Sequence, residues 1–367
     1  MKRILNEEIL TSHGNIAGRK AMVEILEAGL QAADPYHNTF QAMRLQGSKL
    51  VLDNQNFILP GDPQNGPEVI DLDKVGRIFV FGAGKGVQRL AKAIEDMLGQ
   101  RLTAGHVIDK KGGDLILQRV GVTFGAHPVP DDDCVRGCER ILDMTRDLTE
   151  HDLVFTVVCN GVSSLLTMPV AGVTLEDVRR TTHMMQIERG VPTAELNPIR
   201  NHIDQMKGGQ LAAHVQPART IHMVAWWLPT YQEMMTRNLW LHSLPDFTTF
   251  ADAVAYLKKW DAWDVAPAAV REHLQRADPA QETLKAKDYD NMRFRIFAVM
   301  PPHLGMVPTA RKKAVALGFK AHTLYNNYTM QAEASQVGRV VSNMALHAEM
   351  DCDPFEPPCA LIGHRTV

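Results

Sequence analysis

Four short polar segments, most of them following an apolar run, hold the residue types able to do chemistry in this chain. The first is Gly82-Ala83-Gly84-Lys85-Gly86, set between the apolar run Ile78 to Phe81 and helical spacing. Glycines admit a backbone close to a ligand, the helix that follows presents unpaired N–H groups, and Lys85 adds a point charge suited to a carboxylate or phosphate. On this reading Gly82, Gly84 and Gly86 form the wall that meets a cofactor phosphate, with Lys85 at its mouth. The competing reading is that the glycines serve tight strand–helix packing. Neither common template fits, since Val87 stands where a dinucleotide fingerprint needs its last glycine. Phe79 likewise stands where a P-loop needs its first.

The second segment, "GAHPVPDDD" (125–133), places His127 at the carboxyl end of a probable strand, where α/β folds build sites. Asp131 to Asp133 suit a helix N-terminus, where a carboxylate caps backbone N–H groups. In the third, "VVCNGVSSLL" (157–166), Asn160, Gly161, Ser163 and Ser164 offer amide and hydroxyl donors to an anion, and a plain helix cap also explains the serines. The fourth, "NPIRNHIDQMKGG" (197–209), puts Asn197, Arg200 and either Asp204 or Lys207 on one helical face. Arginine presents a planar fork to a carboxylate or phosphate, whereas a solvated charged face is the simpler account of the same residues.

Elements of ordinary length must position these groups. Apolar runs predict strands at 77–81, 104–109, 121–126, 153–158, 219–227, 294–300, 319–325 and 359–363. Amphipathic spacing predicts helices at 18–33, 86–99, 132–147, 174–188, 198–214, 248–260, 267–275, 307–317 and 330–349, with Thr174 and Asp177 as a helix start. Gly208-Gly209 is placed to interrupt the helix ending in "AAHV". Strands alternating with helices imply parallel crossovers, hence a Rossmann-like layered α/β sheet covered on both faces. The charged, aperiodic stretch 276–293 marks a break between a large α/β domain, 1–285, and a smaller, partial one, 286–367. The second ends on the apolar run "CALIGHRTV", as a strand with nothing behind it. Unpaired sheet edges are normally covered, so a second polypeptide or self-association is expected to complete it.

Composition narrows the class. The 367 residues are 45% hydrophobic and 22% charged with a net charge of −3, which speaks against a protein built to neutralise nucleic-acid phosphates. Five cysteines (134, 138, 159, 352 and 359) form no second pair to complete a metal site and read as free thiols in a reducing cytoplasm. Acidic residues interrupt the N-terminal stretch where a signal peptide needs its apolar core, and no run has the length of a membrane span. A cytoplasmic location is expected.

From about residue 18 onward the chain resembles the glycerate 2-kinase (MOFRL) family. The resemblance rests, in order, on "ADPY" (33–36), "FGAGKG" (81–86), "AHPVPD" (126–131), "LTEHDLVFTVVCNGVSSLL" (148–166), "GVTLEDV" (172–178), "LNPIRNHIDQMKGGQLA" (196–212), "PDFTTFADAV" (245–254) and "EPPCALIGHRTV" (356–367). It implies a two-domain α/β kinase that passes the γ-phosphoryl group of ATP to a hydroxyl of glycerate with Mg²⁺ assisting. Lys85 and Arg200 would hold the substrate carboxylate and the developing phosphoryl charge. His127, Asn160, Ser163, Asn197 and Lys207 would bind substrate, and Gly82, Gly84, Gly86 and Gly161 would meet the cofactor.

Departures from the family pattern are clear. Cys159-Asn160-Gly161-Val162-Ser163 replaces a Ser-Gly-Gly-Gly-Ser turn, "LPTYQE" (228–233) replaces an aspartate-bearing segment, and Trp240-Leu241-His242 replaces Ser-Gly-Pro. Met300-Pro301-Pro302 replaces the Gly-Ser-Asn that opens the family's second domain, and Gly363-His364-Arg365 its Gly-Gly-Glu. Loss of acidic groups and gain of Trp226, Trp227 and Trp240 raise two expectations: a bulkier or aromatic acceptor, or a non-kinase subunit that keeps an anion pocket for hydrolase or lyase chemistry.

Overall fold

In the computed structural model the described residues are 2–225, 230–236, 242–300, 304–327 and 333–365. Trp226, Trp227, Leu228, Pro229, Trp240, Leu241, Pro301, Pro302, Thr366 and Val367, singled out above, lie outside them, as do 330–332 of the last helix.

Apolar runs buried on both faces make the central sheet. Its strands are β1 (Ile78–Ala83), β2 (Ala104–Lys110), β3 (Gly121–Gly125), β4 (Leu153–Val158), β5 (Arg219–Val224) and β6 (Phe294–Ala298). They pair in the order β3-β2-β1-β4-β5-β6, all parallel. Every residue of β1 and β4 is buried, as expected of central strands sandwiched between helices. Cys134, Cys138 and Ile141 of the helix Asp132–Thr145 pack against Phe79, Phe81, Val154 and Val158. Strand order reverses between β1 and β4, and that switch point opens a crevice at their carboxyl ends. At the other end Arg77 locks the two strands in register, its Nη2 donating to Asp152 Oδ2 at 2.8 Å and its Nε to Oδ1 at 3.1 Å.

Local chemistry sets the helix boundaries. Asp131 caps Asp132–Thr145 by accepting from the Cys134 amide, and Thr174 with Asp177 forms a reciprocal capping box at the start of Leu175–Thr182. That helix continues as a π-helical turn, His183–Glu188. The single helix expected over 198–214 is two, Thr193–His202 and Gln210–His214, because Gly208 and Gly209 take positive φ of 62° and 81° between them. A small antiparallel sheet (Arg44–Gln46, Lys49–Leu52 and Glu68–Asp71) is built of strands too short to show a period in the sequence.

The chain divides into two compact units, Thr39–Val299 and Met1–Asn38 with Met300–Val367. This differs from the expected 1–285 and 286–367. The run at 294–298 is hydrogen-bonded to β5 as the edge strand of the large sheet, so the division falls after Val299. In the smaller unit, Ile16–Ala32 packs on Met306–Ala316 through Ile25, Ala310 and Ala314, and Gly29 leaves room for Met306. The same unit contains the parallel pair Lys320–Asn327 and Cys359–Arg365 and the helix Ala334–Asp351.

Candidate functional site

The turn after β1 and the turn after β4 meet at the switch point. The Lys85 amide donates to the Asn160 carbonyl at 2.6 Å, and the Gly84 amide to Ile108 O at 3.0 Å. The Gly86 amide donates to Asp109 Oδ1 at 2.8 Å, and that of Val87 to Gly84 O at 3.1 Å. The N–H groups of Gly84, Lys85, Gly86 and Val87 are thus engaged inside the fold and are not turned outward as a phosphate cradle. Gly82 and Gly84 are required by packing instead. A Cβ on Gly82 would collide with the Val157 carbonyl, and one on Gly84 would lie 2.6 Å from Cys159 O. Gly86, at φ 77°, is the left-handed start of the helix Val87–Leu98 and faces open space.

Gly161 is different. It sits at φ 82°, and a Cβ there would be 2.8 Å from His127 Cδ2 and 3.1 Å from Lys85 Cγ. Its missing side chain is what lets His127, from the end of β3, and Lys85, from the end of β1, converge on the turn after β4. Arg200 comes to the same place from the helix Thr193–His202. It lines a narrow cleft with Pro128, Ser163 and Thr182, and it is only 7% exposed. Asn197, one turn earlier on that helix, is buried.

The electrostatics are one-sided. Burial, then Lys85, Lys110 and Arg200, push the His127 imidazole down to about 4, so it is neutral near pH 7. Burial and Lys110 lower the Lys85 ammonium, and burial brings the Arg200 guanidinium down to about 10, where it stays charged. Among the described residues no carboxylate pairs with Lys85, Lys110 or Arg200. The carboxylate nearest the glycine turn, Asp109, accepts from the Gly86 amide through Oδ1 and from Gln88 Nε2 through Oδ2 at 3.2 Å. Cations gathered at a sheet's switch point, none of them paired to a carboxylate among the described residues, make a site for an anion.

Lys207 and Asp204 line the same cleft as Arg200, but the Lys207 ammonium is committed within the fold. Its ammonium donates to Leu166 O at 2.7 Å, Thr167 Oγ1 at 2.9 Å and Asp204 Oδ2 at 2.6 Å, which uses all three of its hydrogens. Asp204 in turn accepts from the Met168 and Met206 amides. The pair is an internal tie that anchors the segment after Arg200, and it leaves Lys207 no unused hydrogen to offer a substrate.

Three residues escaped the sequence reading. Lys110 ends β2 and could have been found by the rule that selected His127, a polar group at a strand's carboxyl end. His242 is 1% exposed, and burial, then Lys207 and Arg200, push its imidazole well below the ordinary value and hold it neutral. Gln186 accepts from Arg200 Nη2 at 2.8 Å, and nothing in the sequence marked it. For Mg²⁺, the described residues contain no group of three or more His, Cys, Asp or Glu side chains able to hold a metal. Asp109 is the carboxylate beside the turn, and its oxygens accept from the Gly86 and Gln88 N–H groups.

Comparison with known proteins gives the chain its relatives. Residues 21–226 match the family described as a domain of unknown function, DUF4147. The chain is 28% identical over 353 residues to a glycerate 2-kinase of Pyrococcus horikoshii, covering 95% of this chain and 74% of that protein. It is 28% identical over 297 residues to a D-glycerate 2-kinase of Thermotoga maritima, covering 79% of this chain and 66% of that one. A crystal structure of a Pyrococcus horikoshii protein superposes with a TM-score of 0.69 at 27% identity, over 95% of this chain and 75% of that one. The chain belongs to the DUF4147 family, and the relatives it resembles over most of its length include glycerate 2-kinases.

Proposed function

We propose that this protein is a phosphotransferase that moves the γ-phosphoryl group of ATP to a hydroxyl of glycerate or a similarly small hydroxy acid. The observation that carries the reading is the cation cluster, Lys85, Lys110 and Arg200 around a neutral His127, without an ion-pair partner among the described residues, in a chain related to glycerate 2-kinases over most of its length. A small hydroxy acid supplies the missing negative charge through its carboxylate, and the transferred group adds more as charge develops.

Each residue has a task on this reading. Arg200 offers its guanidinium fork to the carboxylate, while Lys85 and Lys110 stabilise phosphoryl oxygens. His127, neutral and touching the Gly161 turn, takes the proton that the hydroxyl gives up, and the arriving anion strengthens it as a base. Side-chain cations rather than backbone amides hold the nucleotide phosphates. Mg²⁺ is implied by the relationship, but no step is assigned to it because the described residues contain no group of three or more His, Cys, Asp or Glu side chains able to hold a metal. The bulkier, aromatic acceptor drew on tryptophans outside the described residues, so glycerate is the first substrate to test.

The test is ADP release from ATP and Mg²⁺ with and without D-glycerate, comparing the wild type with Lys85→Met. Glycerate-dependent ADP from the wild type, reduced by about 10²-fold or more in the variant, supports the reading. No glycerate-dependent turnover, or turnover indifferent to Lys85, sinks it.

A further inference from the structure

Arg200 is a buried cation whose hydrogen-bond partner is uncharged. Its Nη2 donates to the Gln186 carboxamide oxygen at 2.8 Å, and among the described residues no acidic side chain pairs with it. Gln186 lies in the π-helical turn His183–Glu188, directly after the α-helix Leu175–Thr182. A π turn carries one more residue per hydrogen-bonded loop than an α turn, which changes the face its side chains present, and such turns often occur at functional sites. Thr182, the last residue before the turn, lines the same cleft as Arg200.

The choice of an amide has a chemical consequence. A carboxylate at this position would form a forked, charge-assisted pair with the guanidinium and cancel the charge the cleft presents. The amide oxygen instead accepts one N–H, orients the guanidinium plane and leaves its full positive charge for a ligand. We propose that Gln186 is the positioning residue for Arg200, aiming the guanidinium at the acidic substrate without neutralising it. This rests on the reading of Arg200 as a substrate-holding cation.

The experiment compares the full-length wild type with Gln186→Glu and with Gln186→Met, a neutral variant of similar length. Binding of D-glycerate and of inorganic phosphate is measured by calorimetry, alongside the thermal unfolding midpoint and, in turnover, KM and kcat. Gln186→Glu is expected to weaken both anions by roughly tenfold or more while holding or raising the unfolding midpoint, because it adds an ion pair. Gln186→Met is expected to weaken them by roughly threefold, with a small loss of midpoint. In turnover the Glu variant raises KM more than it lowers kcat. A purely structural Gln186 gives the opposite order, with Met the more damaging change and binding following stability. Anion binding by Gln186→Glu within twofold of wild type overturns the inference and leaves the anion site standing. A wild type that binds neither glycerate nor phosphate overturns the site and the inference together.

Discussion

The backbone N–H of Lys85 donates to the carbonyl of Asn160 at 2.6 Å, joining the turn after β1 to the turn after β4 where the strand order reverses. This bond and that from Gly86 to Asp109 use the amides which glycine-rich turns elsewhere turn toward phosphate. Recognition of an anion here therefore falls to side chains. The three cations and one imidazole come from the ends of β1, β2 and β3 and from the helix Thr193–His202. That division of labour determines which substitutions damage binding and which damage only the fold.

Gly161→Ala is expected to damage both. The residue sits at φ 82°, and the added methyl would press on His127 and Lys85. A left-handed alanine costs about 1–2 kcal/mol, to be read from urea unfolding. Glycerate affinity should fall by roughly tenfold, one factor of ten being about 1.4 kcal/mol of lost fit. Unchanged affinity would mean that the approach of His127 and Lys85 to this turn is incidental.

Lys207→Met separates fold from site. With Lys207 and Asp204 both buried and tied to backbone groups, removing one partner should cost about 3–5 kcal/mol of stability. At a temperature where the variant stays folded, glycerate binding measured by calorimetry should remain within about twofold of wild type, because all three ammonium hydrogens of Lys207 are already bonded within the fold. A large loss of affinity in a well-folded variant would return Lys207 to the binding site.

The Arg77–Asp152 tie makes a pH prediction. Burial alone would raise the Asp152 carboxyl, but bonds from Arg77 and Thr149 outweigh it and bring the group down to about 2. A carboxyl depressed in the folded state stabilises the protein above its unfolded value, about 3.9, and that contribution disappears as the pH falls toward 2. Arg77→Met should therefore lower the urea midpoint at pH 7, with the gap from wild type narrowing between pH 4 and pH 2. A gap that stays constant over that range would assign the loss to packing rather than charge.

Much of this was legible in the sequence because it depends on local chemistry. Alternating apolar runs and amphipathic segments define the layered sheet, Asp131 and the Thr174–Asp177 pair mark helix starts, and Lys85, His127 and Arg200 stand out by type and position. The rest depends on which strands become neighbours. Gly82 and Gly84 read as a phosphate turn until β4 is known to pass against them. Lys207 reads as a free cation until Leu166 and Thr167 are placed around it. The run at 294–298 reads as the start of a new domain because nothing local shows that it pairs with β5. Gln186 was invisible because a π turn breaks the period on which helical faces are judged.

The most direct test of the account is the titration of His127, followed by NMR of the imidazole in the free protein and with D-glycerate bound. In the free protein burial and the cations Lys85, Lys110 and Arg200 hold the ring near 4, and an anion seated among them offsets those cations and shifts the titration upward. The account predicts a low value without ligand and a clear rise with glycerate. An ordinary histidine value near 6.5 in the free protein, or no change on adding saturating glycerate, would contradict it.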